Sequence, residues 1–293
     1  MIRMMHRFLL HNDDIRDAGE KNLSPGQVGA MAGWGVFSTI RVADGVLFAF
    51  ERHWERMRRD AALLRVPFPA HAEWMLERLQ RLIDANGARD ASLRAYVLRN
   101  KGGIWEGPGI DREFDVIGFT TDLNDWGASV RLGWKTDARH SKCEFSGTKM
   151  LSWSFNLAWY EEAHTRGFDE VVLLNERGEV SECTSANIFA VHGNQVWTPP
   201  LGSGCLPGVT RGLLLEEVRA AGITVAEKTL LPKDLEAAEG VFISSTTRDI
   251  LPVASIEGLT VRQEARVHPA LLSAFVDHRR QYVAAARSAA VVR

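Results

Sequence analysis

Short alternating runs and longer amphipathic ones follow each other along the first part of the chain. "GVFSTIRV" (35–42) and "VLFAF" (46–50) flank Ala43-Asp44-Gly45 and predict strand, turn and strand. "ERHWERMRRDAALLRV" then sets Trp54, Met57, Ala61 and Leu64 on one face at helical spacing. "HAEWMLERLQRLIDANG" repeats that pattern and stops at Asn86-Gly87, where glycine can take the left-handed conformation that ends a helix. "SLRAYVLRN" and "FDVIGFTT" read as two further strands.

The polar stretch "DLNDWGAS" (122–129) interrupts the pattern, which restarts at "VRLGWKT". A helix is expected over "MLSWSFNLAWYEEAHTRG", closed by Gly167. A hairpin follows: "EVVLLN", the turn Glu176-Arg177-Gly178, and one long strand "EVSECTSANIFAV", with "QVWTPP" after it. "LPGVTRGLLLEEVRAAG" predicts a turn leading into a helix, "GVFISS" (240–245) a strand before "TTRDILPV", and residues from about 268 to 288 a last helix. The expected architecture is mixed α/β in two domains. A smaller one covers 1–124, residues 125–129 link it onward, and a larger one covers 130–293.

Composition narrows the function classes. An apolar fraction of 45% and a charged fraction of 25% are those of an ordinary globular protein. A net charge of −2 gives no electrostatic reason to expect nucleic acid or an anionic membrane as partner. The apolar runs are too short to cross a bilayer, and the opening "MIRMMHRFLLHNDD", with three consecutive apolar residues, is not a secretory signal. Cys143, Cys183 and Cys205 show no metal-ligand spacing and no readable His-Cys pairing. No metal site is expected from them, and a reduced, cytoplasmic setting fits best.

Lysine is scarce, seven against twenty-eight arginines, and Lys149 stands out among the seven. "FSGTKMLSWSFNLAW" sets it between a Gly-Thr turn and an apolar helix. An ammonium held against an apolar wall loses hydration, which favours a nucleophilic amine able to form an imine with a carbonyl; a snorkelling lysine at a helix start is the alternative. In "SGCLPGVTRGLLLEE" a Pro-Gly turn runs directly into a helix, so the amides of Val209 and Thr210 should point outward at its N-terminus. Such a turn suits a phosphate, or is a plain helix cap. "SSTTRDI" (244–250) offers a run of hydroxyls to an anion, or a polar turn. Arg56, beside His53 on its helix, could add a charge-assisted contact or lie solvated near Glu51 and Glu55. Glu182, in "RGEVSECTSANIFAV", interrupts a strand that otherwise wants burial, so its carboxylate must reach solvent or meet a cation.

Taken in order, Lys149, "GFDEVVLLNERGEVSECTSANIF", "TPPLGSGCLPGVTR" and "FISSTTRDILPV" resemble the class IV aminotransferases, the fold-type IV pyridoxal-phosphate enzymes. That group includes branched-chain and D-amino acid aminotransferases and aminodeoxychorismate lyase. "GVFSTIRVADG" and "RHWERM" are similar to the family's G-V-F-x-T-x-R and H-x-x-R-[LM] patterns, and the likeness runs from about residue 33 to 255. It implies a smaller N-terminal α/β domain and a larger, β-barrel-like C-terminal domain with flanking helices. It also implies pyridoxal 5′-phosphate as cofactor and a homodimer whose neighbouring subunit completes a site between domains. Lys149 takes the place of the Schiff-base lysine, which also moves a proton at the substrate Cα. Glu182 falls at the carboxylate that meets the pyridine nitrogen. Arg56, Val209, Thr210, Thr246 and Thr247 fall at phosphate positions, and Leu206 at the leucine against the ring face.

Two departures concern the substrate. Branched-chain members usually carry F-E-x-[IL]-R, where this chain has Phe37-Ser38-Thr39-Ile40-Arg41; a hydroxyl residue at Ser38 is closer to the lyase-like members. "RNKGGIWEGPG" only partly echoes the lyase's glycine-rich segment, and the tyrosine many members place five residues after the lysine is Ser154. Phe37, Ser38, Arg94 and Arg99 are the expected substrate-side residues, with either arginine open as the carboxylate partner. Trp34, Trp105 and Trp153 hint at an apolar pocket, or at core. The resemblance implies transfer of an amino group from an amino acid, branched-chain-like or other, to a 2-oxo acid. The alternative is a lyase that releases pyruvate. A cofactor-binding protein without turnover fits less well with an intact Lys149 and Glu182.

Overall fold

The computed structural model describes residues 4–103, 107, 110–263 and 266–291. Packing divides the chain into two units: Met1–Asn124 with Lys149–Trp153 and Gln281–Arg293, and Asp125–Thr148 with Ser154–Arg280.

The first unit begins with β1 (Met5–His11), β2 (Asp14–Asp17) and α1 (Val28–Ala32). β3 (Gly35–Ala43), β4 (Val46–Leu47), α2 (Phe50–Leu63), α3 (Ala72–Asn86), β5 (Ala91–Arg99) and β6 (Phe114–Thr121) follow. The sheet runs β2-β1-β6-β5-β3-β4. Period-two alternation sends Val36, Ile40 and Val42 of β3, and Leu93, Ala95 and Val97 of β5, into one core with Trp54, Met57 and Ala61 of α2 and Leu79 and Leu82 of α3. Ser38 shares the inward face of β3 and is fully buried there. The expected strand "VLFAF" stops at Leu47. Ala49 turns into the left-handed region (φ 53°) and caps α2, so Phe50 opens a helix instead. Gly87 ends α3 with φ 58°, as the sequence suggests.

β4 pairs only with Val42 and Ala43, which leaves the Gly35–Phe37 end of β3 as a free edge. Residues 149–151 occupy it. Met150 bridges Val36 in antiparallel sense, the Phe37 amide donates to the Lys149 carbonyl (3.0 Å), and the Leu151 amide donates to the Gly35 carbonyl (2.9 Å). Gly35 makes the approach possible, since a Cβ there would sit 2.5 Å from the Leu151 side chain. The helix expected from residue 150 therefore starts only at Ser154.

The second unit holds β7 (Val130–Arg139), α4 (Ser154–Thr165), β8 (Glu170–Asn175), β9 (Val180–Cys183), β10 (Asn187–His192) and β11 (Gln195–Thr198). A short 3₁₀ turn (Leu201–Ser203), α5 (Val209–Glu216), β12 (Thr224–Glu227), α6 (Pro232–Ala237), β13 (Gly240–Ser245), β14 (Asp249–Ile256) and α7 (Val267–Val291) follow; α7 belongs to this unit up to Arg280. Eight strands run β12-β11-β10-β13-β14-β7-β8-β9. The sheet curls, because its last strand, β9, leads by a three-residue turn straight into its interior strand β10. "EVSECTSANIFAV" is thus two strands: it breaks where the Cys183 amide donates back to the Ala186 carbonyl (2.8 Å). Ile188, Ala190, Val241, Ile243, Val253 and Leu132 fill the core. The helix after Pro207 is shorter than the sequence suggests: the Val218 amide donates five residues back, to the Leu213 carbonyl (2.8 Å), where a continuing α-helix would reach four back to Leu214. Among the described residues no helix is long and apolar enough to cross a membrane.

Candidate functional site

In the first unit three polar side chains at positions i, i+3 and i+7 of α2 are buried: His53, Arg56 and Asp60. Their spacing aims them at β3 and at the Lys149 segment. Arg56 donates from Nη2 to the Ser38 hydroxyl (2.6 Å), and that hydroxyl bonds His53 Nδ1 (2.7 Å). Arg56 Nε and His53 Nε2 meet no hydrogen-bond partner among the described residues. No carboxylate stands within ion-pair distance of Arg56 among the described residues. Burial pushes the Arg56 guanidinium down to about 10, which leaves it a cation at neutral pH. Burial, with the charges of Arg56 and Lys149, holds the His53 imidazole well below its ordinary range. The charge of buried Asp60, one turn along α2, offsets part of that cost, but a cation hydrogen-bonded to a hydroxyl still suits an anion brought from outside.

Lys149 carries its Nζ 4.5 Å from the ring centres of both Phe37 and Trp153. Those rings meet edge to face, and Phe37 stacks on Tyr96 (5.5 Å), which stacks on Phe119 (5.7 Å). Aromatic faces on two sides give the amine the apolar wall the sequence suggests. The backbone of Lys149 is fixed at both ends, by Phe37 as described and by Asp60 Oδ2, which accepts the Lys149 amide (3.0 Å).

Arg94 and Arg99 diverge. Arg94 is exposed on β5 opposite Thr39, on the same face as Phe37 and Tyr96. Arg99 is already engaged: Nε donates to the Lys101 carbonyl (2.6 Å), Nη1 donates to the Arg65 carbonyl, and the guanidinium lies over the Trp34 ring (4.2 Å). Trp105 and most of the glycine-rich segment around it (104–106, 108 and 109) lie outside the described residues.

In the second unit Glu182 is buried on β9 and has a partner from its own chain. Arg139 Nε donates to Glu182 Oε1 (3.1 Å), and the Leu206 amide donates to Oε2 (3.0 Å). Arg139 Nη2 donates in turn to Asn156 Oδ1 (3.1 Å), whose amide donates to the Thr184 carbonyl (2.6 Å). Each carboxylate oxygen can accept more than one bond, so Glu182 keeps capacity for a further donor.

Leu206 opens the turn into α5, and Asn187 clamps that turn by donating from Nδ2 to the Leu206 carbonyl (2.9 Å). Gly208 is the N-cap and supplies no side-chain bond, so the first amides, those of Val209 and Thr210, carry no cap from it. A Cβ at Gly208 would fall 2.1 Å from Asn187 Oδ1, which is why glycine stands there. Thr246 and Thr247 form the turn between β13 and β14. That turn is anchored by Trp126, whose Nε1 donates to the Thr247 carbonyl (3.1 Å), and by Arg248, buried against Glu170 (3.2 Å) and over the Trp126 ring (3.8 Å). Glu170 also accepts from Thr184 and from Ser185 (2.6 Å). Burial pushes the Cys205 thiol up to about 12 and Cys183 well above its ordinary value, which suits neither to nucleophilic work.

Sequence reading missed Asp60, Arg139, Asn156 and the Glu170–Arg248 pair. Only Asp60 left a local signal, a charged residue continuing the His53–Arg56 stripe of an amphipathic helix.

The family model for class IV amino-transferases matches residues 35–256. A D-alanine aminotransferase of Bacillus licheniformis is 27% identical over 257 residues, covering 86% of this chain and 89% of its own. A putative branched-chain-amino-acid aminotransferase of Methanocaldococcus jannaschii is 29% identical over 282 residues, covering 92% and 96%. The crystal structure of the Escherichia coli branched-chain amino acid aminotransferase superposes with a TM-score of 0.85 at 24% identity, over 94% of this chain and 95% of that one, a likeness of fold.

Proposed function

This chain belongs to the class IV aminotransferases and is a transaminase, and on that premise we propose that Lys149 is its reactive amine and pyridoxal 5′-phosphate its cofactor. The donor set fits that group: a primary amine among aromatic rings, a buried cation without a carboxylate partner, an uncapped helix start and a carboxylate with spare acceptor sites. Lys149 would take the cofactor's aldehyde. Arg56, Val209, Thr210, Thr246 and Thr247 would take the phosphate, Leu206 the ring face, and Glu182 the ring nitrogen. When bound, the cofactor supplies a carbon that accepts the amino group and an electron-poor ring that stabilises negative charge at the substrate Cα.

The chain's own residues do the rest. The Lys149 amine would serve as the base that takes the proton from the substrate Cα and, once protonated, as the acid that delivers it onward rather than back to Cα. Phe37 and Trp153 shield its amine from water on two sides. Arg139 and the Leu206 amide hold the Glu182 carboxylate in one orientation. Arg94, free of the backbone bonds that occupy Arg99, serves the substrate carboxylate. The substrates are an amino acid and a 2-oxo acid; relatives named for D-alanine and for branched-chain amino acids leave both stereochemical classes for the test. A homodimer is the assembly we expect, read by light scattering.

The observation that supports this reading most is Lys149 itself, fixed at both backbone ends with its amine on two aromatic faces. Borohydride reduction of protein reconstituted with pyridoxal phosphate, followed by peptide mass analysis, should label Lys149. A label on another lysine, or none, overturns the assignment. A panel of D- and L-amino acids should convert the bound cofactor to its pyridoxamine form with one class. A lyase would leave it unconverted and release pyruvate from aminodeoxychorismate.

A further inference from the structure

Asp60 is a buried carboxylate that the proposed reaction does not use. It lies one turn beyond Arg56 on α2 and is 1% exposed. One of its oxygens, Oδ1, is held by Arg59, whose side chain is half exposed. The other, Oδ2, accepts the backbone amide of Lys149 at 3.0 Å. Other bonds on this strip in the first unit run from backbone to backbone or from an exposed hydroxyl, among them Phe37 to Lys149, Leu151 to Gly35, and Ser152 Oγ to the Gly33 carbonyl (3.0 Å). Asp60 thus brings a side-chain acceptor to the backbone amide of Lys149. It does so from the rigid helix that also carries Arg56.

We propose that Asp60 is a positioning residue: it sets the reach of the Lys149 amine by pinning the amide of Lys149 to α2. The inference rests on Lys149 being the reactive amine. Three observations lead to it. Strip 149–151 pairs with β3 through a single isolated bridge rather than a ladder, so its register has little support from the sheet alone. The bond from Asp60 is made by an oxygen of a buried side chain at 3.0 Å, a geometry that restrains direction as well as distance. And α2 spaces Asp60 and Arg56 by one helical turn, so a single rigid body fixes both the buried cation and the attachment of the lysine. A lysine free to slide by one ångström along β3 would present its amine wrongly to a carbonyl held elsewhere, and misplacements of that size cost up to about 100-fold in rate.

The role belongs to an acceptor oxygen rather than to a charge, and that difference makes it testable. D60N keeps an oxygen for the Lys149 amide, D60A removes it, and D60V removes it while filling nearly the same space. Two readouts are taken. The first is hydrogen exchange of peptides spanning 149–153 in the cofactor-free protein. The second is the split between kcat and KM for the amino donor in the reconstituted enzyme. In D60A and D60V these peptides should exchange about tenfold faster while peptides of α3 do not. The kcat should fall by about 10- to 100-fold with KM within about twofold. D60N should stay within about threefold of the parent in both. If D60A fails to fold, D60V carries that arm. Parent-like exchange and kcat in a folded D60A or D60V overturn the proposal. So does a D60N variant as impaired as D60A, which would assign the effect to charge. Borohydride labelling of the parent at a lysine other than Lys149 would overturn the cofactor assignment instead, while the exchange arm would still decide whether Asp60 pins the strip.

Discussion

The two units solve the same problem, a buried charge, in opposite ways. In the first unit the guanidinium of Arg56 is met by a neutral hydroxyl, Ser38, and its Nε by nothing among the described residues. In the second unit the buried carboxylates Glu170 and Glu182 each face an arginine, Arg248 and Arg139. A compensated pair is complete without help and can serve as scaffold. A cation such as Arg56, offset by Asp60 only through space and without an ion pair, remains a cost to the fold that an incoming anion relieves. The contrast separates residues that hold the site together from those that wait for a ligand.

The sharpest break would come from Lys149 itself. K149A should lower single-turnover amino transfer by about 1,000-fold or more, the upper range for losing an acid–base group together with its attachment, with an unchanged melting temperature. Retained turnover would detach the reaction from this lysine. R248A or R139A should act on the fold first. Each leaves a buried carboxylate without its cation, an expected loss of about 3–5 kcal/mol in denaturant unfolding, whereas an E170M/R248M double variant should recover most of it. R56A should do the reverse. Cofactor affinity, by titration of the apoprotein, falls by about 10- to 100-fold while the apoprotein melts no lower than the parent. A marked loss of melting temperature in R56A would erase the contrast between the units.

The smallest effect concerns Glu179 at the β8–β9 turn. Its hydrogen bond to Arg177 is the main cause that brings its carboxyl down to about 2 from 4.5. A depressed carboxyl contributes stability above its unfolded value and loses it as pH falls toward the folded one. The parent should therefore exceed E179Q by about 1 kcal/mol or less at pH 7, and the gap should close between pH 4.5 and 2. A gap that persists at pH 2 would mean the pair is not its source.

Much of this was legible in the sequence because it was local. Helical spacing identified Trp54, Met57 and Ala61, Gly87 ended α3, and the turn before Val209 announced itself through Pro207-Gly208. Lys149 was legible through scarcity and its apolar neighbours. What failed depends on contacts distant in the chain. Ala49 in the left-handed region converts the end of "VLFAF" into a helix start, a choice made by packing rather than propensity. The break at Thr184–Ala186 lets β9 pair with β8 and β10 with β13. Arg139 meets Glu182 across 43 positions, so no periodicity could join them. The strip 149–153 belongs with the first unit because β3 leaves an edge open, a fact of sheet order that pattern does not carry.

That strip has a consequence for how the protein is made. The first unit draws on three separated stretches, the last of which brings Tyr282 to donate to Glu51 (2.7 Å) and to meet the Phe48 ring edge to face. A ribosome delivers the sheet of residues 5–121 well before the segment that covers its β3 edge, and delivers Tyr282 later still. Through that interval the nascent chain shows an unpaired strand edge, a ready template for wrong association. A chain stopped at Asn124 should therefore self-associate when expressed alone, and a separately supplied peptide spanning 145–153 should suppress that association by occupying the edge.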